Sequence, residues 1–152
     1  MRYRVVAVGK LRERFYQDAC EHYARRLGQL TGCEVIEVRE ARLKSVAQAK
    51  TAEGESLIAK VQGLGVALDE RGTAFDTRAL ARHLTELENR GTSSVTILVG
   101  GAEGHGDALR AAVSEAWSLS PLTLPHELAR LVLLEQLYRV ETLRAGHPYH
   151  RG

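Results

Sequence analysis

Two cysteines in 152 residues, Cys20 and Cys33, are too few and too far apart for a CxxC metal or redox pair. Free thiols in a reducing compartment are expected, rather than a lone disulfide. No apolar run approaches the roughly 20 residues that cross a bilayer. The stretch from Met1 to Val8 is too short for a signal peptide and stops at Gly9-Lys10. These absences predict a cytoplasmic protein with no membrane contact. No repeat, linker or low-complexity segment divides the chain, so residues 1–152 are expected to form a single domain. Metal is not expected either. His147 and His150 are close neighbours, but no third or fourth ligand follows at suitable spacing.

The chain also lacks bulk charge. Its net +2 is too small for a general polyanion binder, yet the sum conceals a gradient. Residues 1–50 carry 11 Lys and Arg against 6 Asp and Glu; residues 51–120 carry 6 against 10. A basic first third fits phosphate contact, and equally fits an ordinary solvated surface.

What is present is an alternation of periods. Strands are expected at Tyr3–Val8, Cys33–Val38, Gly65–Leu68 and Ser94–Val99, with Asp69-Glu70-Arg71-Gly72 as a turn. Helices are expected at Arg14–Leu30, Ser45–Gln62, Asp107–Ala116 and Glu127–Ala145, and from an Asp76 N-cap through Arg90 to a stop at Gly91. Leu119–Leu124 reads as an extended run halted by Pro125. The alternation predicts an α/β fold whose mainly parallel sheet is flanked by helices. The last helix is apolar nearly all round (Leu128, Leu131 to Leu134, Leu137, Tyr138, Val140, Leu143), which asks for cover on several sides. A homodimer through this helix is the expected cover.

Three segments could carry chemistry. Gly100-Gly101-Ala102-Glu103-Gly104 follows a strand and precedes a helix, where backbone N–H groups can approach a ligand closely. Its spacing matches neither GxGxxG nor the Walker pattern, which disfavours dinucleotides and nucleoside triphosphates. Alone, it could equally be a tight turn. Ser118 to His126 sets hydroxyls beside leucines, and Pro121 removes a ladder donor. That suits an adenine or thioether held between backbone segments, and equally an edge strand. His147 to Arg151 gathers two imidazoles, a phenol and a guanidinium, groups that stack on unpaired bases and pair with phosphates. His105 and His126 are expected to be structural, and His22 and His83 to lie on helix faces.

These segments, with Val5-Val6-Ala7-Val8-Gly9-Lys10 at the start and Leu134 to Arg139 in the last helix, closely resemble the ribosomal RNA large subunit methyltransferase H family. That family is the minimal branch of the SPOUT class. The resemblance implies a C-terminal trefoil knot, a homodimer with its site at the interface, and S-adenosyl-L-methionine as cofactor. It implies that Leu68, Gly100 and the run Leu119, Ser120, Pro121, Leu122, Thr123 and Leu124 bind that cofactor, Pro121 through its backbone alone. The family reaction is N3 methylation of a pseudouridine in large-subunit (23S) ribosomal RNA on the assembled 70S ribosome. His150, Tyr149, Arg151 and Glu103 are then the candidate catalytic residues, with His150 as base, Tyr149 against the target base, and Arg151 or Arg139 on phosphate. Two alternatives stay open: a SPOUT enzyme for another RNA site, and a ribosome-binding factor without catalysis.

Overall fold

The computed structural model describes residues 1–151. Five strands, β1 (Arg2–Val8), β2 (Cys33–Val38), β3 (Leu64–Ala74), β4 (Ser94–Val99) and β5 (Glu115–Ser118), form one sheet in the order β2-β1-β4-β3-β5. Every pairing in it is parallel. Five helices connect and follow them: α1 (Arg14–Leu30), α2 (Val46–Ile58), α3 (Thr77–Asn89), α4 (Asp107–Ala112) and α5 (His126–Arg144).

The two faces of the sheet carry separate cores, as the twofold alternation of strand side chains requires. Val5, Ala7, Val66, Val95 and Ile97 pack with Leu27 of α1, Leu84 of α3 and Leu133, Leu134 and Leu137 of α5. Val6, Val8, Ala67 and Leu98 face the other way, onto Leu57 of α2 and Leu109 of α4. Central strands buried on both faces read as unbroken apolar runs, which is why β1 and β4 are plain in the sequence.

Helix signals behave as expected at several ends. The Asp76 carboxylate accepts from the Ala79 amide, and Gly91 takes a positive φ just beyond α3. Ser45 caps α2 through the Gln48 amide. Helix α5 is covered mainly from within the chain: it lies between α1 and α3 against the sheet, and none of its residues is fully exposed. Among its half-exposed residues, Leu128, Val132, Glu135 and Arg139 follow one another at helical spacing as a stripe.

Two expectations change along the edge of the sheet. The helix read as Asp107–Ala116 stops at Ala112, and strand β5 follows at Glu115–Ser118, so Leu119–Leu124 is irregular chain beyond a strand rather than the strand itself. The turn read at Asp69–Gly72 is instead part of β3, which continues to Ala74. Its register against β5 shifts between Leu68 and Thr73, the mark of a bulge. Gly72 lies where a Cβ would come 2.5 Å from the Ala116 carbonyl carbon and 2.7 Å from the Trp117 nitrogen. Gly72→Ala is therefore expected to push β5 off β3, lowering stability by about 1–3 kcal/mol in urea unfolding. An unchanged denaturation midpoint would refute it.

The chain then crosses the top of the sheet. Strand β5 is an edge strand beside β3, whereas α5 begins at the far side, above the ends of β1 and β2. There Glu127 accepts from the Arg12 amide (2.6 Å), and Arg130 donates to the Gly9 carbonyl (2.8 Å) and to Glu37 (2.6 Å). The segment from Leu119 to Pro125 spans this distance over the carboxyl ends of β3 and β4.

Candidate active site

That crossing roofs a cleft of about 660 Å³. Its floor is Leu68 and Val99, the last core residues of β3 and β4 before their loops. One wall is the glycine loop, Gly100 to Gly104; the other is Leu119, Ser120, Leu122, Thr123 and Leu124, continuing to His126 and Ala129 of α5. Carboxyl ends of parallel strands, where adjacent loops diverge, are the usual ligand position of an open α/β sheet. The volume lies within the ordinary range for small-ligand sites.

The loop is held in shape by close backbone approach. The Gly104 amide donates to the Gly101 carbonyl (3.0 Å), and a Cβ on Gly100 would stand 3.0 Å from the Gly104 carbonyl carbon. A side chain at Gly101 would press on Val8 at 3.2 Å. Beneath it, His105 is buried and donates Nε2–H to the Leu98 carbonyl (2.9 Å). Burial holds this imidazole below its ordinary value of 6.5. The unfolded chain therefore binds the proton more readily, so this contribution is present above pH 6.5 and is lost as pH falls through the folded value. The thermal midpoint is expected to drop between pH 7 and pH 5, more steeply for the native chain than for His105→Gln. Parallel profiles would exclude His105 as the cause.

Charged groups frame the opposite rim. Asp69 accepts from the Arg71 amide (2.9 Å) and from Arg110 (2.9 Å), and Arg110 also pairs with Asp107 and donates to the His105 carbonyl (2.8 Å). Burial alone would raise the Asp69 carboxyl, but the Arg71 amide and the Arg110 guanidinium outweigh it and hold it low. Thr123 donates to Glu70 (3.1 Å), tying the crossing segment to β3. Asp69, Glu70 and Arg110 were not anticipated as lining residues. For Asp69 and Glu70 the signal was concealed because an Asp-Glu-Arg-Gly run has turn composition, and it lies in the bulge between Leu68 and Thr73, which both pair with Trp117 of β5. Arg110 belongs to α4 and reaches the rim only through its contact with Asp69.

Of the expected residues, the structure gathers Leu68, Gly100, Leu119, Ser120, Leu122, Thr123, Leu124 and Glu103 around this one cleft. Pro121 is next to it but does not line it. Leu122 stands at the mouth, 72% exposed. The tail residues are elsewhere. Tyr149 packs edge-on against Tyr138 (ring centres 4.7 Å), lies under the Arg139 guanidinium (4.9 Å) and donates to Glu135 at 3.4 Å. Burial, with Tyr23 and Glu135 nearby, pushes its phenol up to about 12, so it is a neutral donor at ordinary pH. His150 presents Nδ1 to Arg139 at 3.3 Å. Arginine can only donate, so Nδ1 accepts and the neutral ring carries its proton on Nε2. Neither His150, Tyr149 nor Arg151 lines the cleft of its own chain.

Among the described residues, no cluster of His, Cys, Asp or Glu could hold a metal, and no helix is long and apolar enough to cross a membrane. Cys20 and Cys33 are free thiols, and burial pushes the Cys33 thiol up to about 11.

Known proteins are similar to this chain in sequence and in fold. The family described as "Predicted SPOUT methyltransferase" matches residues 1–150. Proteins named ribosomal RNA large subunit methyltransferase H are similar from end to end. A Thermus thermophilus protein of that name is 48% identical over 99% of both chains, and the Gloeobacter violaceus protein 43% identical over 100% of both. In fold, the chain resembles a crystal structure named "Probable Methyltransferase" from Bordetella pertussis Tohama I, with a TM-score of 0.55 at 16% identity, covering 92% of this chain and 96% of that one. The match across nearly its whole length, on top of a cleft built from the glycine loop and the crossing segment, establishes that this chain belongs to the SPOUT methyltransferase family.

Proposed function

We propose that this chain transfers a methyl group from S-adenosyl-L-methionine to N3 of a pseudouridine in large-subunit (23S) ribosomal RNA, acting in the cytoplasm on the assembled ribosome. The observation that carries the reading is the single cleft shared by the glycine loop and Leu119–Leu124. The relatives named for methylation of large-subunit ribosomal RNA, similar over the full length, support the choice of substrate.

The cleft fits the cofactor chemically. Gly100 leaves room where a Cβ would crowd Gly104, so backbone can approach an adenine edge. Leu68, Leu119, Leu122 and Leu124 offer apolar surface for the ring and thioether, and Ser120, Thr123 and Glu70 offer partners for ribose hydroxyls. When bound, the cofactor supplies an electrophilic methyl on a sulfonium, and most of the acceleration then comes from holding the target nitrogen in line. The N3 proton of the target must leave. His150 is the candidate acceptor of that proton, with Glu103 at the cleft as the other; Tyr149 lies against the target base, and Arg151 supplies a phosphate contact. Because the tail lies outside its own cleft, a homodimer in which one chain's tail reaches the other's cleft fits best. The half-exposed stripe on α5 is the natural seam. The crossing of Leu119–Pro125 over the strand ends is the kind of thread from which a trefoil knot is made.

The test supplies labelled S-adenosyl-L-methionine with assembled ribosomes, isolated large subunits, naked ribosomal RNA and transfer RNA. Label confined to a pseudouridine of the assembled particle is expected. Label on transfer RNA would replace this reading with another SPOUT specificity. A calorimetric titration without cofactor binding would leave a non-catalytic ribosome-binding factor.

A further inference from the structure

The carboxyl edge of the sheet is electrically divided. The loops around β3 and β4, residues 69–73 and 100–107, carry four carboxylates against Arg71 and the neighbouring Arg110 of α4, which pairs with Asp69 and Asp107 and leaves Glu70 and Glu103 without an arginine partner among the described residues. The stretches after β1 and β2, residues 9–14 and 39–50, carry seven Lys and Arg against two Glu. Both stretches stand beside the cleft. Buried Glu53 accepts from the Ala41 amide (2.9 Å), and its other oxygen lies 3.7 Å from the position of a Cβ on Gly101, so one side chain links the basic loop to the glycine loop. Arg12 pairs with Glu40 (3.4 Å), joining the two basic stretches to each other.

Charge that stabilises a fold is normally paired. Arg39, Arg42 and Lys44 are exposed and pair with no carboxylate among the described residues. Leu43, between Arg42 and Lys44 in sequence, is 54% exposed, and Phe15, one turn after the Arg12 that pairs with Glu40, is 62% exposed with its ring 4.5 Å from that of Tyr16. Unpaired cations next to a solvent-facing aromatic are what a single-stranded nucleic acid requires: phosphate neutralisation from the first and base stacking from the second. An acidic peptide would use the charges but leave Phe15 without purpose.

We infer that the RNA strand flanking the methylated nucleotide leaves the cleft across this surface, its phosphates on Arg39, Arg42 and Lys44 and an unpaired base on Phe15. This rests on the functional reading above and adds a direction to it. The strand runs toward β1 and β2 and away from Glu70 and Glu103 around β3 and β4, where no cation among the described residues is left over for a phosphate.

The test is the triple variant R39Q/R42Q/K44Q and, separately, Phe15→Ala. Both are assayed for cofactor affinity by calorimetry, for ribosome binding by sedimentation, and for methyl transfer. All four side chains are exposed, so folding is expected to survive, and circular dichroism checks it. For the triple variant we expect unchanged cofactor affinity, a KM for ribosomes raised by about tenfold or more, and a salt dependence shallower by about two in logarithmic slope. Phe15→Ala is expected to raise KM with kcat nearly unchanged. Wild-type KM and salt slope in the triple variant would overturn the proposal while leaving the methyltransferase reading intact. Ribosome binding that falls in the variant, from an intact chain that transfers no methyl group, would support the surface and sink the reading. An intact chain that binds no ribosome overturns the surface. So does a change of mass on Phe15→Ala in sedimentation velocity, because the face is then an interface between copies.

Discussion

A chain cut after Gly146 is expected to bind S-adenosyl-L-methionine as the intact chain does, and to transfer methyl groups on the order of 10²–10⁴ times more slowly. The two halves have separate grounds. No residue from His147 to Arg151 lines the cleft, so cofactor contacts survive the deletion. Tyr149, His150 and Arg151 are the groups assigned to the target ring, its proton and its phosphate, and general acid–base and charge-stabilising groups each account for factors of this size. The deletion also removes the packing of Tyr149 on Tyr138 and under Arg139. That should lower the thermal midpoint by a few degrees, about what losing 1–2 kcal/mol does in a domain of this size. Single-turnover transfer at saturating cofactor measures the first effect and calorimetry the second. A truncated chain with normal turnover would remove the tail from the mechanism.

The placement of the tail sharpens that experiment. It lies along the Glu135–Arg139 turn of α5, whereas the cleft meets α5 only at His126 and Ala129. At 1.5 Å per residue the two regions of the helix are about 10–15 Å apart. If the tail acts across a dimer, mixing truncated chains with chains whose cleft is blocked by Gly101→Leu should restore part of the activity, although neither variant works alone. No recovery on mixing would mean that the tail serves its own chain or none.

How far the sequence foretold this site depends on where each signal lies. Strand β4 and the glycine loop are legible because a run buried on both faces, followed at once by Gly100-Gly101, is a local pattern. Leu119–Leu124 is legible as unusual chain, but its role as a roof is not. That role depends on β5 lying at one edge of the sheet and Arg130 being anchored at the other. Strand β5 itself is four residues long, and Glu-Ala-Trp-Ser has no periodicity to read; its state is fixed by pairing with β3, far earlier in the chain. The same pairing, at Leu68 and Thr73 on either side, holds Asp69 to Gly72 as a bulge within β3 despite their turn-like composition. The apolar last helix asked for cover, and most of that cover is α1, α3 and the sheet, so what is left for a partner is half-exposed surface such as the stripe through Leu128, Val132, Glu135 and Arg139.

Arg130→Met is expected to cost about 2–4 kcal/mol of stability and to weaken cofactor binding together with it. Arg130 is 2% exposed on an otherwise apolar part of α5, and it joins that helix to the ends of β1 and β2 through the Gly9 carbonyl and Glu37. Its Nε–H has no acceptor among the described residues, so the buried charge is held by those two contacts alone. Methionine matches its volume but leaves the Gly9 carbonyl unpaired, while Glu37, 36% exposed in its side chain, can turn to water. That asymmetry keeps the loss below what two fully buried charges would give. Arg130→Lys retains the charge but cannot reach both acceptors with one planar fork, so it should lose roughly half as much. The link to binding is mechanical: Arg130 lies five residues beyond Pro125, and with the start of α5 loosened, Leu119–Leu124 is no longer stretched over the strand ends. We expect the thermal midpoint of Arg130→Met to fall by roughly 5–15 °C, with cofactor affinity reduced about tenfold at a temperature where the variant remains folded. A variant with the lower midpoint but full affinity would show that the roof is held by its own contacts, such as Thr123 to Glu70, rather than by the anchor at Arg130.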